Sequence, residues 1–212
     1  MPKKAEDSFV DSIRIRGALG LERRPDTLGA RVDLTRILGS ATAPVWLVIV
    51  SEFQCESCRR LATDILPTIR REYVDPGKVR VAFVNWPDEA HFNSRFASHA
   101  ALCAGSAERF WEMHDSLFAS LPRWERLADP QPFMDSLAIT AGVAPDMQHS
   151  CTSRSRVSNL LKGDLERSEL SGATIRPTLF VGNQKLEGDG LTLFAVRRAL
   201  DIALSRAGAT HD

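Results

Sequence analysis

Residues 51–60 read SEFQCESCRR, with Cys55 and Cys58 separated by Glu56 and Ser57. Two thiols at this spacing can close and reopen a disulfide, supply half of a metal site, or simply pack as small apolar groups. Zinc would need two further Cys or His ligands, usually as a second close pair. The other cysteines, Cys103 and Cys151, are single and 48 positions apart, and there is no second CxxC and no HxxxH, so no metal site is assigned. What lies before and after the pair favours redox chemistry. The run VWLVIV (Val45–Val50) is apolar on both faces, as expected of a central strand covered on both sides. RRLATDILPTIRREY then repeats Leu61, Ile65, Leu66, Ile69 and Tyr73 at helical spacing, with Pro67 expected to kink the helix. Cys55 therefore falls where a strand gives way to a helix. The free N–H groups and partial positive charge of that helix end lower a thiol pKa, and Cys58, one turn inside, serves as the partner thiol.

Asp75-Pro76-Gly77 is a turn signal, and KVRVAFVNW (Lys78–Trp86) alternates as a second strand, completing a βαβ unit. From His91 to about Leu170 the pattern is helical. One face of the first helix carries Phe92, Phe96, Ala100 and Cys103, and Pro145 opens a longer helix containing Cys151. This stretch interrupts the α/β alternation as an inserted helical subdomain. A strand from Thr178 to Val181, a Gly-Asn turn and Lys185–Leu186 form a hairpin, and Leu191–Leu204 is a last amphipathic helix. Pro177 heads the hairpin. Read alone it is a trans proline opening an edge strand; were its bond to Arg176 cis, the backbone of Arg176 would face the cysteines and could pair with an extended peptide.

Lysine plus arginine and aspartate plus glutamate number 27 each, so no net charge favours nucleic acid or a membrane surface. The apolar fraction of 43% suits a globular chain, and no apolar run is long enough to span a bilayer. The first residues have no apolar core behind their basic charges and do not read as a secretory signal.

The segments LGSATAPVWLVIVSEFQCESCRRL, YVDPGKVRVAFVNWP, ERFWEMHDSLF and IRPTLFVGNQKLEG resemble, in order and spacing, the DsbA-like thiol–disulfide oxidoreductases of the thioredoxin superfamily. The resemblance implies an α/β thioredoxin fold interrupted by an all-helical insertion, with Cys55 attacking, Cys58 resolving and a cis peptide before Pro177. The expected boundaries are an N-terminal arm over 1–39, a thioredoxin domain over 40–88 and 172–208, and the insertion over 89–171. Expected partners are protein or peptide thiols and disulfides and a redox protein that recycles the pair, with no dissociable cofactor. The family's compartment is periplasmic or extracytoplasmic, while the lack of a signal in this chain leaves the cytoplasm open. A redox-inactive binding or chaperone-like module on the same fold is the alternative, and a zinc-bound structural protein a third.

Three departures from the family pattern bear on chemistry. Glu56 and Ser57 replace the usual proline-led spacer, and the Glu56 charge opposes the helix dipole while Arg59 and Arg60 support it. Ile49 stands where relatives carry a buried acid, with Glu52 the nearest substitute. Arg176 replaces the usual threonine or valine, its charge available to the Cys55 thiolate or to acidic partners. Cys103 and Cys151 read first as core thiols; some relatives tie this subdomain with a disulfide, which would contribute roughly 2–4 kcal/mol here. His114 reads as structural.

Overall fold

The computed structural model describes residues 28–146, 151 and 155–209. Five strands form one mixed sheet: β1 (Ile37–Leu38), β2 (Val45–Ser51), β3 (Val79–Asn85), β4 (Thr178–Val181) and β5 (Gln184–Glu187), in the order β1-β3-β2-β4-β5. β2 and β3 run parallel, with Leu47 opposite Val81 and Ser51 opposite Asn85; the other three pairings are antiparallel. This is the thioredoxin fold. The expected all-apolar strand is β2, buried along nearly its whole length because both sheet faces are covered.

Strand alternation sorts the core. Leu47, Ile49, Val81, Phe83, Leu179 and Val181 point to one face and join the main cluster, which includes Cys58, Ile69 and Val196. Val48, Val50, Ala82, Val84 and Phe180 form a smaller cluster on the other face. Helix α1 (Leu28–Thr35) precedes β1, and Gly39, with φ of 101°, turns the chain out of β1 where a Cβ would meet the Val79 carbonyl oxygen at 2.6 Å.

Helix α2 begins at Glu56. It is α-helical over Glu56–Arg60 and Leu66–Ile69 and π-helical over Leu61–Ile65 and Arg70–Val74. Pro67 brings no N–H, and the Leu66 N–H reaches back five residues to the Leu61 carbonyl, so a widened turn precedes the proline. Helices α3 (Ser94–Gly105), α4 (Phe110–Ala119), α5 (Leu121–Trp124), α6 (Gln131–Thr140) and α7 (Ser155–Leu170) lie between β3 and β4, and α8 (Leu193–Gly208) closes the chain. Cys103 of α3 is joined to Cys151 by a disulfide with Cα atoms 5.6 Å apart. The helix expected to open at Pro145 lies partly outside the described residues.

The N-terminal arm drawn over 1–39 carries, from residue 28 onward, helix α1 and the edge strand β1; its earlier part lies outside the described residues. The arm's polar appearance hid Arg36, which is 4% exposed and ion-paired with Asp33 and Asp164. Phe92 and Phe96 do not line the core with Cys103. Phe92 precedes α3 and is 89% exposed, and Phe96 is 48% exposed.

Asp164 of α7 is fully buried and ties the insertion to the sheet. It pairs with Arg36 and accepts from Arg167 at 2.9 Å and from the Asn85 backbone and side-chain N–H groups at 3.0 and 2.8 Å. Burial alone pushes its carboxyl up, but Arg36, Arg167 and Asn85 outweigh that and hold it below the usual carboxylate range. A depressed folded-state pKa contributes stability that is present at neutral pH and lost as pH falls through the carboxylate range. Asp164→Asn leaves Arg36 buried and underpaired and should cost about 3–5 kcal/mol in urea unfolding at pH 7. The difference between variant and parent should shrink towards pH 3; an unchanged denaturation midpoint at pH 7 would refute the role given to this carboxylate.

Candidate functional site

β2 ends at Ser51, and the Trp86 N–H donates to the Ser51 carbonyl at 2.7 Å, fixing where the chain leaves the sheet. Four residues later Cys55 is the N-cap of α2, in extended backbone (φ −96°, ψ 124°). A cap normally offers oxygen to the free N–H groups of the first turn. Here sulfur does so: the Cys58 N–H donates to Cys55 Sγ at 3.3 Å. The Ser57 hydroxyl lies 3.0 Å from the same sulfur. Both thiols are free; Cys55 is half-buried and Cys58 fully buried.

The two sulfurs are driven in opposite directions. The Cys55 thiol is lowered from 9.0 to about 6, first by the hydrogen bond from the Cys58 thiol and then by the Ser57 hydroxyl and Cys58 N–H, against opposing burial and the Glu52 charge. Cys58 is pushed well above its ordinary value, first by burial and then by giving its proton to the Cys55 sulfur. One sulfur is thus a half-exposed thiolate and its neighbour a sealed thiol, the asymmetry that stepwise exchange requires.

The Arg176–Pro177 bond is cis. The Arg176 carbonyl oxygen lies 3.8 Å from Cys55 Sγ and 3.2 Å from the Ser57 hydroxyl. The Arg176 side chain turns the other way. It donates to the Trp86 carbonyl at 2.6 Å, pairs with Asp88 at 3.1 Å, and lies with its guanidinium carbon 3.7 Å from the Trp86 ring centre. Its charge is engaged there, so of the roles open to it in the sequence, thiolate stabilisation and selection of acidic partners both give way to holding the loop.

Glu56 is forked onto Arg59 by two 2.8 Å bonds, so the carboxylate expected to oppose the helix dipole is largely neutralised in place. Ile49 belongs to the apolar core. Glu52, named in the sequence only as a substitute acid, is 1% exposed; it bonds His91 Nδ1 at 2.5 Å, the Ser94 hydroxyl, and the Asp88 N–H at 3.2 Å. Glu52, Asp88 and His91 bring three oxygen and nitrogen atoms within 4.8 Å of one another, with His91 and the Asp88 N–H bonded to Glu52 and the Asp88 carboxylate bonded to Arg176. His91 and Ser94 lie some forty residues from Glu52, and nothing in the sequence pattern paired them. His114 packs against Phe53, Phe83, Trp111 and Phe118, with Nδ1 2.7 Å from Asp115. Burial lowers its pKa, consistent with a structural place in the core.

The family model described as Thioredoxin matches residues 32–201. The chain is 24% identical over 157 residues to disulfide bond formation protein D of Bacillus subtilis, an alignment covering 71% of this chain and 69% of that protein. The oxidised crystal structure of BdbD from Bacillus subtilis superposes with a TM-score of 0.73 at 22% identity, over 80% of this chain and 92% of that one. Wolbachia pipientis alpha-DsbA1 gives a TM-score of 0.73 at 19% identity, over 84% and 94%. At such identities the structural likeness establishes the fold.

The hydrogen bonds around Cys55 make a direct prediction. Ser57→Ala removes one donor and should raise the Cys55 titration, followed by thiolate absorbance, by about one pH unit. Glu56→Gln, whose charge Arg59 already offsets, should titrate like the parent protein. The reverse ranking of the two variants would contradict the assignment of donors.

Proposed function

The chain belongs to the thioredoxin family, and on that premise we propose that it is a thiol–disulfide oxidoreductase acting on protein substrates through Cys55 and Cys58. The observation that carries this reading is a half-exposed sulfur capping a helix end, bonded by the Cys58 N–H at 3.3 Å and 3.0 Å from the Ser57 hydroxyl, beside a second free thiol that is fully buried. These donors lower the Cys55 thiol and favour its thiolate near neutral pH.

In the oxidising direction a substrate thiolate attacks Cys55 Sγ of the Cys55–Cys58 disulfide. The S–S bond breaks, Cys58 leaves and takes up a proton, and a mixed disulfide joins Cys55 to the substrate. The substrate's second thiolate attacks its own half of that bond and expels Cys55 as thiolate, so the substrate loses two electrons and two thiol protons; the pair gains both electrons and one proton, at Cys58, and the other proton goes to solvent. Cys55 is a good leaving group because its thiolate is stabilised. In reverse, the Cys55 thiolate opens a substrate disulfide and Cys58 resolves the intermediate.

Arg176 and Pro177 are assigned to substrate binding. The Arg176 carbonyl beside the reactive sulfur is suited to accept a backbone N–H from an extended peptide, with the guanidinium on Trp86 and Asp88 holding the loop. The protein named in the Bacillus subtilis relative forms disulfides, which favours the oxidising direction here. The Cys103–Cys151 disulfide is consistent with work in an oxidising compartment. Among the described residues no helix is long and apolar enough to cross a membrane.

The test is oxidation of a reduced dithiol peptide and reduction of insulin. Cys55→Ser should abolish both. Cys58→Ser should accumulate the mixed disulfide, visible by mass spectrometry. Alkylation of reduced protein should slow as pH falls through 6, as Cys55 gains its proton. Retained exchange in Cys55→Ser would end this reading.

A further inference from the structure

Cys58 must lose its proton before it can attack a mixed disulfide, yet its sulfur is fully buried. A charge formed there needs donors, because burial without partners is costly. The charged neighbours are already engaged. Glu52 is bonded to His91, Ser94 and the Asp88 N–H, the Asp88 carboxylate pairs with Arg176, and Glu56 pairs with Arg59. None of these offers a free cation to the Cys58 sulfur.

Ser51 is different. It ends β2, and alternation from Leu47 and Ile49 puts its side chain on the sheet face that α2 covers, the face whose core includes Cys58. It is 1% exposed, and its hydroxyl is sealed from solvent without completing a hydrogen bond. A buried hydroxyl left unpartnered is uncommon and calls for an explanation. Its backbone is held by the Trp86 N–H on the Ser51 carbonyl, so the side chain does not drift.

We propose that Ser51 is a positioning residue for Cys58: its hydroxyl donates to the Cys58 sulfur as that sulfur loses its proton. The Ser51 hydroxyl is among the groups that favour the charged form of Cys58 against burial and Cys55. In the thiol state the Ser51 hydroxyl waits unpaired; in the thiolate state it has a strong acceptor, so the interaction is made when it accelerates reaction. Cys58 then attacks Cys55 Sγ, the bond from Cys55 to the substrate sulfur breaks, and the departing substrate thiolate takes up a proton. The pair is oxidised and the substrate disulfide reduced.

This inference rests on the redox reading above, and the test separates the two. Reduced protein is mixed with excess oxidised glutathione, and formation of the mixed disulfide and release of glutathione by Cys58 are timed separately. Ser51→Ala should slow release roughly tenfold, the worth of one hydrogen bond to a charged sulfur. Its Cys55 alkylation rate and thermal midpoint should match the parent. Ser51→Thr, which keeps the hydroxyl, should restore the release rate. Release at the parental rate in Ser51→Ala, or equal slowness in a folded Ser51→Thr, overturns the role of the hydroxyl. A parent protein that forms no mixed disulfide at all overturns the redox reading instead.

Discussion

A thiol loses its proton near neutral pH only if something stabilises the charge left behind, and at Cys55 that is the unclosed first turn of α2. The Cys58 N–H, the Cys58 thiol and the Ser57 hydroxyl all converge on one sulfur. Together they lower the thiol from 9.0 to about 6. The turn keeps its place because the helix end is fixed from below. β2 runs straight into it, β3 and β4 hold β2 on either side, and α2 is bound to the sheet by the core that includes Cys58 and Ile69.

On the proposed reading, stabilising the Cys55 thiolate stabilises the reduced pair, which favours the oxidising direction of exchange. The same arrangement would be inert if both sulfurs shared the charge. Burial of Cys58 prevents that: its proton is held as a donor to Cys55 until the mixed disulfide removes the acceptor. On the proposed reading, the unequal burial of the two sulfurs is what orders attack at Cys55 before resolution by Cys58.

The legible parts of the sequence were those where one physical signal dominated. Val45–Val50 could only be a covered strand, and the expected Lys78–Trp86 strand differs from the observed Val79–Asn85 by one residue at each end. The cysteine pair at the strand-to-helix junction followed from those elements. What escaped had no local signature. β1 is two residues long and exists because Leu38 and Ile37 pair with Val81 and Ala82 across forty residues. Arg36 and Asp164 look like surface charges until the fold brings them together in the interior. Phe92 and Phe96 fit a helical apolar stripe, but Phe92 lies outside α3 and Phe96 near its start, where small residues (Ala97, Ala100, Ala101) meet the core instead. The cis bond at Pro177 could not be chosen over trans from residues alone, since the local preference is for trans.

Charged groups around the site are engaged by protein partners: Asp88 pairs with Arg176, Glu56 pairs with Arg59, and Glu52 bonds His91, Ser94 and the Asp88 N–H. These contacts fix the chain after β3, the cis-proline loop and the first turn of α2. The groups that lower the Cys55 thiol are neutral dipoles, namely an N–H, a hydroxyl and a thiol, acting against the Glu52 charge. Dipoles held in place stabilise a charge without moving with it and are little affected by salt, whereas exposed ions are screened within about a Debye length. On the proposed reading, recognition rests on the backbone at Arg176 and Pro177, a basis that suits polypeptides of varied sequence rather than one charged motif.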